Sequence, residues 1–159
     1  MRRAAKQAVN VRMARRGDAG VIAAFNVALA QESEGRRLNA KRVLAGVKAL
    51  LADRAKGQYF VAVSDGQVVG QLMVTYEWSD WRNGNFWWLQ SVYVRPEFRR
   101  GGVFRSLFAF MRKAAKRGNV CGLRLYVERE NVRGKKTYER LGLGPTHYEV
   151  YEWDYVLKL

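Results

Sequence analysis

Cysteine and histidine are almost missing from this chain: Cys121 and His147 stand alone among 159 residues. A lone cysteine excludes an intramolecular disulfide and a cysteine-based zinc site. A lone histidine leaves a metal site or a Ser-His-Asp triad little to work with, so no metal is expected. Long apolar runs are missing too. No stretch approaches the roughly 18 apolar residues that suggest a membrane span, and the basic residues of positions 1–10 lead into no apolar core. A cytoplasmic protein with no membrane partner is therefore the expectation. Carboxylates are scarce, with 14 Asp and Glu against 29 Lys and Arg, a formal net charge of +15. No internal repeat, low-complexity segment or linker interrupts the chain, which reads as one domain over residues 1–159. Residues 1–9, with Arg2, Arg3 and Lys6, read as a flexible basic arm, with a nucleic-acid contact as the other reading.

What is present is apolar material: 48% of residues are hydrophobic and 13% aromatic. That suffices for one well-packed domain and rules out a disordered basic tail, so a folded surface carries the charge. Such a surface favours anionic partners, whether nucleic acid, acidic lipid headgroups or a phosphorylated cofactor.

Residues 10–15 alternate weakly as a strand. Asp18 then stands at a helix N-cap position, followed by Val21, Ile22, Phe25 and Leu29 at helical spacing. A second helix begins near Asn39, carries Val43, Leu44, Val47, Leu50 and Leu51 as one stripe, and stops at Gly57. Two helices before any long strand suggest α+β or α/β. Residues 59–63 and 68–78 flank an Asp65-Gly66 turn as a hairpin, and a second turn leads into a third strand over residues 86–94. After Gly102, the positions of Val103, Phe104, Leu107, Phe108 and Met111 predict a helix that ends before Gly118. A strand over residues 121–127 follows, then a helix capped by Asn131 and closed by Gly142, then a last strand over residues 148–157.

The informative stretch is Val92-Tyr93-Val94-Arg95-Pro96-Glu97-Phe98-Arg99-Arg100-Gly101-Gly102-Val103-Phe104-Arg105. A strand runs into a basic, glycine-containing turn that opens a helix, so unpaired backbone N–H groups and the positive helix end point at one place. Such a place binds phosphate, and the glycines let backbone approach an anion closely. No Gly-Lys-Ser/Thr follows, which excludes a Walker loop, and the glycine spacing does not fit a dinucleotide fingerprint. Downstream, Asn131 and Tyr138 lie seven residues apart and return to nearly the same helix face, with the small Gly134 between them. An N-cap and a core tyrosine would give the same pattern.

The order strand, basic glycine turn, helix, strand, then Asn131-x-x-Gly134-x-x-x-Tyr138 followed by Glu139-Arg140-Leu141-Gly142-Leu143 resembles the GNAT superfamily of acyl-CoA-dependent N-acyltransferases. The resemblance is strongest from about residue 86 to 143. It implies an α/β fold of α+β type, a mixed, mainly antiparallel sheet of about six or seven strands flanked by about four helices. In that family the turn reads Gln/Arg-x-x-Gly-x-Gly/Ala and cradles the pyrophosphate of coenzyme A. Arg99 and Gly102 match, and Phe104 departs from the final small residue. The resemblance implies acetyl-CoA as co-substrate. The backbone of Val92, Tyr93 and Val94 would pair with the pantetheine arm. Arg99, Arg100, Gly101, Gly102, Val103, Phe104 and Arg105 would surround the pyrophosphate, and Asn131 would contact the cofactor. Tyr138 matches the tyrosine that protonates the leaving thiolate, and a phenol of reference pKa near 10 suits that task. Residues 95–140 hold 14 Lys and Arg and four carboxylates, a surplus that would steer a phosphorylated cofactor.

Direct attack of an amine on the thioester needs a proton acceptor, and many family members place a glutamate near residues 88–90. This chain has no carboxylate over residues 86–96, and Gln90 is no base. Glu77 and Asp80, at the end of the preceding strand and in its turn, are the nearest candidates, with water as relay, and Glu149, Glu152 and His147 are others. Glu77, Trp78, Asp80, Trp81, Arg82, Trp88 and Gln90 form the candidate acceptor surface, where aromatic faces beside carboxylates suit a small amine or a basic side chain. Arg82 would instead pair an amino-acid carboxylate. The same exposed aromatic hairpin suits a homodimer contact. The expectation is an N-acetyltransferase for a primary amine. A basic nucleic-acid-binding module, or a coenzyme A-binding member without activity, is the alternative.

Overall fold

The structure, a computed structural model, describes residues 8–157. The chain forms two compact units that meet between Tyr126 and Val127. The basic arm expected at the start lies, over residues 1–7, outside the described residues.

The first unit holds β1 (Asn10–Met13), α1 (Ala19–Glu34), α2 (Ala40–Ala52), β2 (Gln58–Ser64), β3 (Gln67–Ser79), β4 (Gly84–Val94), α3 (Val103–Ala115) and β5 (Val120–Leu125). The five strands lie in the order β1-β2-β3-β4-β5. All neighbours are antiparallel except β4 and β5. A parallel pair cannot be joined by a hairpin, and α3 supplies the crossover. The β2–β3 turn is tight because Asp65 and Gly66 both take positive φ, 48° and 77°, the twist that suits a two-residue hairpin.

The sheet is covered on both faces. Ile22 and Ala23 of α1 and Val47 of α2 pack on Tyr59 and Val61. Alternation turns Phe60 to the opposite face, where its ring meets Phe110 of α3 at 5.9 Å. Ile22, Phe60, Leu72, Leu107 and Met111 have 0% exposure, each worth about 1.5–3 kcal/mol of burial.

Asp18 precedes α1, but its side chain makes no capping bond to the helix. Its carboxylate instead accepts from both terminal nitrogens of Arg12, at 2.7 and 3.0 Å, and from the backbone N–H of Arg15 at 2.6 Å. Arg12's hydrogen bond is the main cause holding the Asp18 carboxyl below the usual range, against a smaller opposing effect of burial. The charged form is thus favoured by folding. This contribution is complete above the ordinary carboxylate value of about 3.9 and is lost as pH falls through the depressed folded value. Asp18→Asn is expected to lower stability by about 1–3 kcal/mol at pH 7. It also removes this part of the acid dependence, as urea unfolding at pH 7 and pH 3 would show. Equal losses at both pH values would contradict the assignment.

Asn39 caps α2 through the N–H of Arg42 at 3.0 Å, and the helix ends at Ala52, five residues before Gly57. In the second unit, α4 (Val132–Arg140) is capped by Asn131, which accepts from the N–H of Gly134 at 2.7 Å. The expected strand over residues 148–157 is not formed, so the described sheet has five strands rather than six or seven. Asp154 turns the backbone there by accepting from the N–H groups of Val156 and Leu157, at 2.6 and 2.7 Å. This local bonding competes with a strand ladder. Among the described residues no helix is long and apolar enough to cross a membrane.

Candidate active site

The β4–β5 pairing runs from Asn85 opposite Val120 to Leu89 opposite Leu125 and stops there. Beyond it β4 continues to Val94 and, among the described residues, pairs with β3 alone. A bulge marks this part of β4: Met73 faces Gln90 and Gln71 faces Tyr93, so two residues, Ser91 and Val92, stand against Leu72 alone. Ser91 takes φ 49°, a conformation a non-glycine residue seldom adopts. The strand therefore bends where its second neighbour ends, leaving that edge without a strand partner, though the carbonyls of Ser91 and Val94 accept from side chains.

That edge leads into the basic turn. Arg100 and Gly102 take positive φ, 65° and 89°, and Gly102 occupies the N-cap position of α3 with no side-chain cap. The first N–H groups of α3 have no acceptor within the helix and, with the helix dipole, create an anion-binding end. Arg100 and Arg105 are exposed around it. Gly70 of β3 lets the helix start approach the sheet, since a Cβ there would lie 3.0 Å from Val103.

Arg99, expected among the anion-binding groups, is turned toward α1. It donates from Nε to the carbonyl of Val94 at 2.8 Å and pairs with Glu32 at 2.7 Å. Its guanidinium also lies 5.4 Å from the centre of the Tyr93 ring. The Tyr93 hydroxyl donates to the other Glu32 oxygen at 3.0 Å. Burial, followed by Glu32, pushes this phenol's pKa up. Glu32 thus ties α1 to the turn. Glu32→Gln is expected to weaken binding of a phosphorylated ligand at the turn about threefold to tenfold, since it loosens an exposed ion pair. Calorimetric titration would check this, and an unchanged affinity would reduce the link to surface decoration.

On the α1/α2 face a cavity of about 430 Å³ lies beside the bulge, bounded by residues of α1, α2, β2, β3 and Ser91. Its inner wall carries a buried polar chain. Gln71 donates to Asn26 at 2.7 Å and to the Ser91 carbonyl at 3.2 Å, and Asn26 donates to the Tyr59 hydroxyl at 2.9 Å. Gln71 is fully buried, which keeps the bulge in one shape. Burial raises the Tyr59 pKa, with Asn26 and Ser91 opposing, so the phenol is neutral at physiological pH.

Glu77 and Trp88 lie on this same face of the sheet, further along. Register and alternation put the Glu77–Phe86 pair four residues, about 13 Å, from the Met73–Gln90 pair. Both Glu77 oxygens are engaged: Arg124 donates at 2.6 Å and the Trp88 indole at 2.8 Å. Arg124 also stacks 3.8 Å from the Phe86 ring centre. Gln90 donates to Thr75 at 2.7 Å. The tryptophans divide as a core and surface pair would: Trp87 is buried, whereas Trp78 and Trp81 are exposed. Asp80 accepts from the N–H of Trp81 at 2.9 Å, and Arg82 lies over Phe86 at 5.0 Å. The expected acceptor surface is thus an aromatic and ion-paired platform, separate from the cavity.

In the second unit Asn131 uses its side-chain oxygen as the α4 cap. The close approach permitted by Gly134 is to this side chain, 2.7 Å from where a Cβ would sit. Tyr138 is half-buried on α4, and desolvation raises its pKa above the ordinary phenol value.

The sheet, the bulged fourth strand and the glycine turn define an acetyltransferase-type fold, and sequence comparison places the chain more closely. The acetyltransferase (GNAT) family model matches residues 24–143, and the chain belongs to that family. A possible acetyltransferase from Clostridium difficile 630 is 47% identical, with a TM-score of 0.87 over 94% of this chain and 99% of that one. Two further structures share the fold at lower identity. A predicted acetyltransferase from Clostridium acetobutylicum, crystallised with acetyl-CoA, is 18% identical, with a TM-score of 0.75 over 92% of this chain and 96% of that one. Glucosamine-6-phosphate N-acetyltransferase from Arabidopsis thaliana is 15% identical, with a TM-score of 0.71 over 92% and 98%. No curated protein sequence matches. The protein is an acetyltransferase enzyme.

Proposed function

We propose that the protein moves an acetyl group from acetyl-CoA to a primary amine by direct attack. The observation that carries this reading is the free β4 edge after Leu89, which runs straight into an uncapped, basic helix start. An extended pantetheine arm would add to that edge as a strand does, through the backbone of Val92, Tyr93 and Val94. The N–H groups over Gly101, Gly102, Val103 and Phe104 would receive the pyrophosphate, with Arg100 and Arg105 as surrounding charge. Arg99 holds the turn to α1 rather than facing the anion. Asn131 orders the start of α4, and Tyr138 is the proton donor.

Acetyl-CoA supplies an activated acyl carbon. The neutral amine nitrogen attacks that carbon, the C–S bond breaks, and the thiolate takes the Tyr138 proton to leave as coenzyme A thiol. The product nitrogen sheds one proton to water, and Tyr138 is reprotonated from solvent. The acceptor sits in the cavity beside Ser91. Glu77, with both oxygens engaged at the far end of the strand pair, has no part in the proton path. Deprotonation of the amine by water makes kcat/KM rise with pH toward the amine's own pKa, and Glu77→Gln is expected to leave that profile in place. Loss of the acidic limb in this variant would restore Glu77 as the base.

Calorimetric titration with acetyl-CoA and with its dephospho analogue, at two salt concentrations, tests the cofactor assignment. Affinity that falls with removal of phosphate supports it. No binding of either compound would overturn it.

A further inference from the structure

The chain carries 29 Lys and Arg, yet among the described residues none lines the cavity beside Ser91. The one charged lining residue is acidic, Glu34, at the end of α1, where it pairs at 3.4 Å with Arg36, which is not itself part of the wall. The rest of the wall is chiefly apolar, with Leu29, Leu38, Val43 and Met73 around a neutral inner end at Tyr59 and Ser91. A volume of about 430 Å³ lies at the small end of the usual range for ligand pockets. An anionic group placed there would lose its water without gaining a counter-charge.

Gly46 adds a second observation. It lies inside α2, where glycine disfavours the helix, and it lines the cavity. A Cβ built on it would meet no atom within 4 Å. Gly46 is exposed, so it stands where the cavity opens to solvent, and the missing side chain leaves that mouth wide.

We infer that the acceptor is a small primary amine with an apolar body and no carboxylate or phosphate, its ammonium drawn in past Glu34 and its body held among Leu29, Val43 and Met73. This rests on placing the acceptor in the cavity and goes further by fixing its chemical class. The amine nitrogen would reach the bulge at Ser91, where β4 loses its second neighbour.

The test compares matched pairs as acetyl acceptors for the full-length protein: 2-phenylethylamine against phenylalanine, and 3-methylbutylamine against leucine. Within each pair only the carboxylate differs. The expected kcat/KM is roughly 100-fold or more higher for each simple amine, the discrimination expected when an anion would be buried unpaired. Equal rates within the pairs, preference for the amino acids, or no turnover of either amine by protein that binds acetyl-CoA would overturn the substrate class. Two variants separate this from the location of the site. Gly46→Phe fills the open wall and should raise KM for the amines at least about tenfold with acetyl-CoA affinity within about twofold of the parent. An unchanged KM would move the acceptor out of the cavity. Gly46→Arg supplies the missing cation and should narrow the amine-to-amino-acid ratio by about tenfold. An unaltered ratio would contradict the charge argument.

Discussion

Tyr138→Phe is expected to lower kcat by about 100-fold, within the range for loss of a positioned general acid, while the affinity for acetyl-CoA stays within about twofold. The substitution removes one oxygen from a half-buried side chain, so the aromatic volume is kept. What disappears is a proton held at neutral pH. Desolvation raises the Tyr138 pKa above its ordinary value of 10.0, so the donor keeps its proton and stays neutral through the physiological range. The parent enzyme's kcat is therefore flat with respect to this group until pH exceeds 10, and activity falls only above that point as the phenol ionises. Stopped-flow and steady-state assays over pH 7–11 would read both effects. A matching loss of acetyl-CoA affinity with kcat intact would make Tyr138 a packing residue.

Gly102→Val is expected to raise the Kd for acetyl-CoA by about 100-fold. Gly102 sits at φ 89° where the turn enters α3, a conformation that a β-branched residue adopts only with strain of about 1–3 kcal/mol. The same substitution sets a branched side chain beside the N–H groups that face the anion. Arg100→Ala, which removes one exposed charge and leaves the turn intact, is expected to cost only about threefold. Calorimetry on both variants separates shape from charge. A larger loss from Arg100→Ala than from Gly102→Val would mean that the site is a diffuse basic surface.

Much of this fold was legible in the sequence because its signals are local. The Asp65-Gly66 turn, the apolar spacing of α3 and the caps Asn39 and Asn131 each follow from a few neighbouring residues. Tertiary chemistry overrode such signals elsewhere. Asp18 has the residue type and place of an N-cap, but Arg12 on the adjacent strand β1 offers its carboxylate a bidentate partner. Residues 148–157 have strand-like alternation, but a strand needs a neighbour, and Asp154 satisfies the backbone by a turn instead.

The site divides in the same way. The glycine turn is continuous in sequence and was readable from residues 99–105. The cavity is assembled from residues far apart, with Asn26, Gln71 and Ser91 meeting across 45 and 20 positions. Its one visible trace was a glutamine inside the apolar run from Val68 to Val74. Glu32 left no trace, since its partners Tyr93 and Arg99 lie more than 60 positions away. Glu77 drew attention as a carboxylate at the end of the strand that precedes β4, whereas register sets it at the far end of β4 from the turn.

The most direct test of the account mixes the protein with acetyl-CoA labelled in its acetyl group and 2-phenylethylamine, and follows both products by mass spectrometry. The account predicts labelled N-acetyl amine and coenzyme A thiol in equal amounts, formed faster as pH rises toward the pKa of the amine. Thiol released without labelled amide, or a thioester left intact with every primary amine tried, would contradict it.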